Sequence, residues 1–165
     1  MKTIPSLLLL SSLLSVAAYA EGERGGRYGG EEHGKPLRPA TINANWQKEC
    51  GSCHIAYAPG LLPAESWRKV MRGLDQHFGA DASLTAPEAT EITDFLAKGA
   101  SNRWTASTSP LRITDAQWFK GKHDAREVPA TVWARASIKS AANCQACHAD
   151  ADKADFNEHS VKIPK

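Results

Sequence analysis

The sequence predicts a mainly α-helical protein built as two unequal units. Three observations carry that expectation. Apolar residues recur at helical spacing in several segments, and no convincing period-two stretch appears. Capping and stop residues punctuate those segments. One pentapeptide pattern occurs twice, as Cys50-Gly51-Ser52-Cys53-His54 and as Cys144-Gln145-Ala146-Cys147-His148, once in each half.

The pattern is C-x-x-C-H, the attachment signature of a c-type haem. Two thiols separated by two residues can reach the two vinyl groups of one porphyrin and form thioethers. The histidine that follows then points its imidazole at the iron from the same side. The two motifs use all four cysteines, so none remains for a structural disulfide. A zinc site is a poor alternative, because no matching second ligand pair is present. Two covalently bound haems are expected, on Cys50 and Cys53 and on Cys144 and Cys147.

The elements follow in chain order. Lys2, the apolar stretch Ile4 to Val16 and Ala18-Tyr19-Ala20 form a secretory signal over residues 1–20. The stretch is short for a bilayer span, which needs about 20 apolar residues, and no later segment is apolar enough. The expected mature chain starts at Glu21 and works in the periplasm. Lys and Arg total 20 against 18 Asp and Glu, and no basic stripe is visible, so nucleic acid is not an expected partner. Residues 21–42 are polar and Gly-rich, a tail too poor in apolar surface to order itself. His33 lies in that tail.

The first haem-binding unit is expected over residues 43–108. Trp46 to Cys53 reads as a short helix that leads into the motif. A second helix starts around Pro63, with Trp67, Val70, Met71, Leu74 and Phe78 on one apolar face and His77 projecting from it. A third opens with the capping box Thr85-x-x-Glu88 and Pro87 in its first turn. Ala89, Ile92, Phe95 and Leu96 form its buried stripe, and Lys98-Gly99 ends it. Ser101 to Pro110 is a polar connector and the candidate boundary.

The second unit is expected over residues 109–165. Thr114-x-x-Gln117 offers a cap for a short helix carrying Trp118 and Phe119, stopped by Gly121 just before His123. Pro129 to Asn143 reads as a helix with Val132, Trp133 and Ala136 on one face, delivering the chain into the second motif. A short tail ends Val161-Lys162-Ile163-Pro164. Apart from the pentapeptide the halves do not match, so this is no simple duplication. Trp46, Trp67, Trp104, Trp118 and Trp133 suit packing against large apolar plates.

His54 and His148 are the proximal iron ligands that the motif dictates. The donors left for the far sides are His33, His77, His123, His159 and Met71. His77 is preferred for the first haem, because an unpaired imidazole on a buried face is costly. Met71 shares that face but reads as core filler. His123 is preferred for the second haem over His159, which lies in the charged run Asp155-Phe156-Asn157-Glu158-His159. Crossed assignment, with His77 on the second haem, stays open.

The chain resembles the bacterial dihaem cytochrome c family, over roughly Asn45 to Pro164. The residues that carry the likeness run from Glu49 through the first motif and Ile55-Ala56-Tyr57-Ala58-Pro59-Gly60-Leu61-Leu62-Pro63. They continue with Ser66-Trp67, Met71, His77-Phe78-Gly79, Trp118-Phe119, His123, Ala142-Asn143 with the second motif, and Ile163-Pro164. The resemblance implies an N-terminal domain like a small class I cytochrome c, followed by a less regular C-terminal haem domain. It implies an electron carrier rather than an enzyme, with two bis-histidine haems and His77 and His123 as distal ligands. It implies redox partners such as an oxygen-binding monohaem cytochrome c or a membrane cytochrome b. The competing classes are a haem enzyme, with Arg112, Arg126 or Arg135 assisting a polar substrate, and a gas sensor with one displaceable ligand. Both need an iron that is open or can open.

Overall fold

The structure is a computed structural model, and it describes residue 37, residues 41–101 and residues 109–165. The expected signal peptide, most of the Gly-rich tail with His33, and residues 102–108 of the connector with Trp104 lie outside the described residues. The described residues hold helices and turns and no strand, with one isolated bridge between His77 and Ala80. Among them no helix is long and apolar enough to cross a membrane.

The first half packs three helices. Helix α1 spans Ala44–Cys50, and the Asn43 side chain caps it by accepting the Trp46 amide at 2.7 Å. The Asn43 and Asn45 side-chain amides donate to Glu91 at 2.6 and 2.7 Å, which lashes α1 to the third helix. Helix α2 spans Ala64–Arg72 and buries Ser66, Trp67 and Met71. The Trp67 indole donates to the Pro59 carbonyl at 2.7 Å, so this large ring is buried with its polar edge satisfied. Helix α3 spans Ala86–Gly99 and starts with the expected Thr85/Glu88 capping box. Trp46, Leu62, Trp67, Met71, Ile92 and Leu96 form one core where these helices meet. Where α3 ends, a Cβ on Gly99 would stand 2.8 Å from the Pro59 side chain, so glycine permits this close approach.

Helix α2 stops well before Phe78. Gly73 ends it, Leu74–Gln76 tightens into a 3-10 turn, and the chain then reverses through Phe78 at φ 53° and Gly79 at φ 100°. The expected apolar face therefore breaks. Phe78 is 45% exposed, with the Arg112 guanidinium 3.9 Å above its ring. His77 leaves the helical register with it and sits at the end of the 3-10 turn.

The second half is built from shorter pieces. Thr114 lies inside the 3-10 turn Ile113–Asp115 and caps nothing, whereas Ala116 starts helix α4, Gln117–Lys122. The helix expected over 129–143 is only α5, Ala130–Trp133. It ends where the Arg135 amide takes the Val132 carbonyl in a tight three-residue bond at 3.1 Å, and a separate turn follows in which the Ile138 and Lys139 amides share the Arg135 carbonyl at 2.9 and 2.8 Å. Lys139 then takes a left-handed φ of 67°, and the Asn143 amide closes the turn on the Ile138 carbonyl at 3.0 Å. Ala136, expected on the packed face, is exposed, and Ile138 is fully buried instead. Three 3-10 turns follow, Cys144–Ala146, Ala151–Lys153 and Glu158–Ser160.

The C-terminal tail is strapped to this half. The Lys162 amide donates to the Cys147 carbonyl at 3.0 Å, and Arg135 Nη1 donates to the Pro164 carbonyl at 2.7 Å. A second apolar cluster joins the halves, with Ala58 and Leu61 from one and Ala154, Trp118 and Phe156 from the other.

Ile138 is the test of this account of the second half. Truncation of a wholly buried isoleucine to alanine costs about 2–5 kcal/mol, and Ile138→Ala is expected to lower the denaturation midpoint accordingly. Ala136→Ser, at an exposed site, should leave it within about 0.5 kcal/mol. Equal effects in urea titrations would contradict the observed chain path.

Candidate haem centres

The first motif begins in the last turn of α1, which carries Cys50, and continues through a turn that presents Cys53 and His54. The His54 Nδ1 atom donates to the Ile55 carbonyl at 2.7 Å. A carbonyl oxygen can only accept, so that nitrogen carries the proton and Nε2 keeps its lone pair for a metal. Tyr57 stacks on the same imidazole, with ring centres 4.6 Å apart and planes 24° apart. Opposite stands His77, its ring centre 6.2 Å from that of His54. Burial holds the His77 imidazole below its usual range, and His54 and Arg112 add to the effect. Both effects favour the neutral imidazole, the form that can ligate.

The second motif folds as a 3-10 turn, with the His148 amide bonded to the Cys144 carbonyl at 2.9 Å. Its partner is His123, the residue that ends α4. The His123 amide and Nδ1 both donate to the Phe119 carbonyl, at 2.9 and 3.0 Å, which fixes the tautomer and frees Nε2. Phe119 stacks on the imidazole at 4.1 Å, and Trp133 lies 6.0 Å away. The His123 and His148 ring centres are again 6.2 Å apart. Burial, with His123, holds the His148 imidazole low, and Asp155 opposes that shift. The His148 Nδ1 atom is buried and has no hydrogen-bond partner among the described residues.

These distances fit iron in a porphyrin. A bond from imidazole nitrogen to metal is about 2.0–2.1 Å, so two rings on opposite sides of one metal have centres about 6 Å apart once each ring's half-width is included. Among the described residues no group of three or more His, Cys, Asp or Glu could hold a bare metal ion. A haem iron needs only two protein donors, because the porphyrin supplies the rest. None of the four cysteines is paired in a disulfide, so all four are available for thioether attachment. Burial, then the Glu49 charge, pushes the Cys50 thiol up to about 11, and burial does the same for Cys144. Cys147 is raised as well, chiefly by burial. A cleft of about 390 Å³ beside the first motif is lined by Trp46, Cys53 and His54 and also by Gln145 and Asp152 from the second half.

Of the remaining donors, Met71 and His159 stay apart from these pairs. Met71 is buried in the core with Trp67 and Ile92. His159 is exposed on the last 3-10 turn, its backbone amide bonded to Asn157. The rings that lie together are His54 with His77 and His123 with His148. Two residues of the site escape sequence reasoning. Tyr57 donates its hydroxyl to the Ala142 carbonyl at 2.7 Å, beside the other motif. Its phenol is pushed up to about 12, mainly by burial, with Cys144 adding to it. Phe156 meets the His148 ring edge-on at 5.4 Å. The only signal for Phe156 is an aromatic residue inside a charged run, and for Tyr57 its place three residues after a motif histidine.

The family model for dihaem cytochrome c matches residues 46–156. A search of curated proteins finds no match. Among solved structures, a diheme cytochrome c from Rhodobacter sphaeroides is 37% identical, with a TM-score of 0.64 over 70% of this chain and 98% of that one. The diheme cytochrome c of Shewanella baltica OS155 is also 37% identical, with a TM-score of 0.66 over 74% of this chain and 93% of that one. The chain belongs to the dihaem cytochrome c family, and its two C-x-x-C-H motifs carry the two covalently bound haem c groups for which that family is named.

Proposed function

We propose that this protein is a periplasmic electron carrier, not an enzyme, whose two haem irons are each closed by a histidine pair, His54 with His77 and His148 with His123. The observation that carries the reading is the recurrence of one ring separation, 6.2 Å, at both motifs. The haems supply one-electron chemistry. The chain's own residues decide what that chemistry serves. A histidine on each face leaves no position for a substrate or gas, so the centre exchanges electrons only. Two imidazoles also favour a lower potential than a Met/His pair, and Met71 is committed to the core. On the exposed side the Phe78 ring lies 4.8 Å from that of His77, and Arg112 packs on Phe78.

The partners we infer are redox proteins of the same compartment, such as an oxygen-binding monohaem cytochrome c or a membrane cytochrome b. Export rests on the signal over residues 1–20 and on haem attachment to such motifs outside the cytoplasm. Mass spectrometry of the protein isolated from the periplasm should give a chain starting at Glu21 with two haems added. A chain still carrying Met1 would refute the cleaved signal.

The ligand assignment has a spectroscopic test. Oxidised protein should give two low-spin signals in EPR and no high-spin component. The imidazole planes are 30° apart in one pair and 69° apart in the other, so the two signals should be separable. Reduced parent protein should resist carbon monoxide. His77→Ala and His123→Ala should each convert one signal, a different one, to high spin and let about one equivalent of carbon monoxide bind. Fast binding by the parent would favour an enzyme or a gas sensor.

A further inference from the structure

The two motifs are joined by one side chain. The Tyr57 ring lies on the His54 imidazole at 4.6 Å. Its hydroxyl donates to the Ala142 carbonyl at 2.7 Å, a contact between residues 85 positions apart in sequence. That same oxygen accepts the Cys144 amide at 3.0 Å, and the Cys144 thiol approaches it at 3.6 Å. The contacts therefore run without a gap from the imidazole of one motif to the first cysteine of the other. Tyr57 is held there by more than its hydroxyl, since it packs against both apolar clusters of the molecule.

We propose that Tyr57 is a positioning residue for electron exchange between the two haem centres, tying the His54 imidazole to the backbone that enters the second motif. The proposal rests on the reading of His54 and His148 as iron ligands. In the step it serves, one electron leaves the centre on His54 and arrives at the centre on Cys144 and Cys147, or the reverse. One iron passes from ferrous to ferric as the other passes from ferric to ferrous. Tyr57 is neither oxidised nor reduced and keeps its proton. Its part is to hold the two ends in one arrangement, so that exchange does not wait for them to meet. A hydrogen bond of this kind biases such an arrangement by about fivefold.

The test uses the full holoprotein with both haems attached. Tyr57→Phe keeps the ring and removes only the hydroxyl, whereas Tyr57→Leu removes the stacking as well. After a radiolytic pulse that delivers one electron per molecule, the redistribution between the two centres is followed by absorbance. In Tyr57→Phe both low-spin EPR signals should remain, the redistribution should slow by about fivefold, and amide exchange at Asn143 and Cys144 should quicken by a similar factor. Tyr57→Leu should be slower still. Redistribution at the parent rate in Tyr57→Phe overturns the proposal. So does loss of the first low-spin signal in Tyr57→Phe, which would make Tyr57 a support of ligation alone. A parent without bis-histidine signals defeats the ligand reading and this proposal with it, and shows itself before any substitution is made.

Discussion

An iron in a porphyrin plane leaves two positions for the protein, one on each face, and a donor that misses its position by an ångström does not bind. The motif supplies one donor at a fixed place beside the thiols. The fold must bring the other from elsewhere and oppose it. In this chain two histidines are placed where they could meet that requirement, and by different means. His77 arrives on a reversal after α2 that needs left-handed backbone at Phe78 and Gly79. His123 arrives at the end of α4, where two bonds to the Phe119 carbonyl and a stack on the Phe119 ring orient it. Much else in each half holds those two placements. The core of Trp46, Trp67, Ile92 and Leu96 fixes the direction from which α2 approaches. The strapped C-terminal tail holds the turn that carries His148.

The parts legible in the sequence are those decided by neighbours in the chain. The Thr85/Glu88 box and the Ile92/Leu96 stripe act within a few residues, and α3 starts where they say, whereas α1 starts at Ala44 under its Asn43 cap, ahead of the expected Trp46. The motif cysteines and histidines are local in the same sense. The failures come where distant contacts or backbone reversals intervene. Spacing alone continues α2 to Phe78, but Gly73 and the left-handed residues beyond it divert the chain. Spacing also extends α5 toward Asn143, but the chain tightens at Arg135, whose amide bonds to Val132, and then turns at Lys139. Spacing puts His77 on a helix face that it does not occupy, and the reversal brings it opposite His54 instead. The family resemblance pointed to the same residue without depending on that geometry.

Tyr57 and Ile138 show what local reading misses. Nothing near Ile138 in sequence marks it for full burial, because its burial follows from the abrupt turn at Lys139. Nothing near Tyr57 announces a partner at Ala142, because that partner lies in the other half. Each residue is defined by a tertiary event, one a broken helix and the other a joined pair of motifs.

The two halves differ in what would hold a proposed ligand if its neighbours loosened. Behind His77 stands a helical core with fully buried Leu62 and Ile92, so opening there must disturb several large side chains at once. Around His123 and His148 the elements are single turns, a six-residue helix and a tail held by a few hydrogen bonds. Local opening is cheapest where buried apolar contacts are fewest and backbone bonds meet solvent. The second centre therefore depends more heavily on contacts that cross to the other half, through Ala58, Leu61 and Tyr57. On the proposed reading, in which both irons stay closed, that dependence is useful, since the better-packed half stiffens the weaker one at the contacts that join the two motifs.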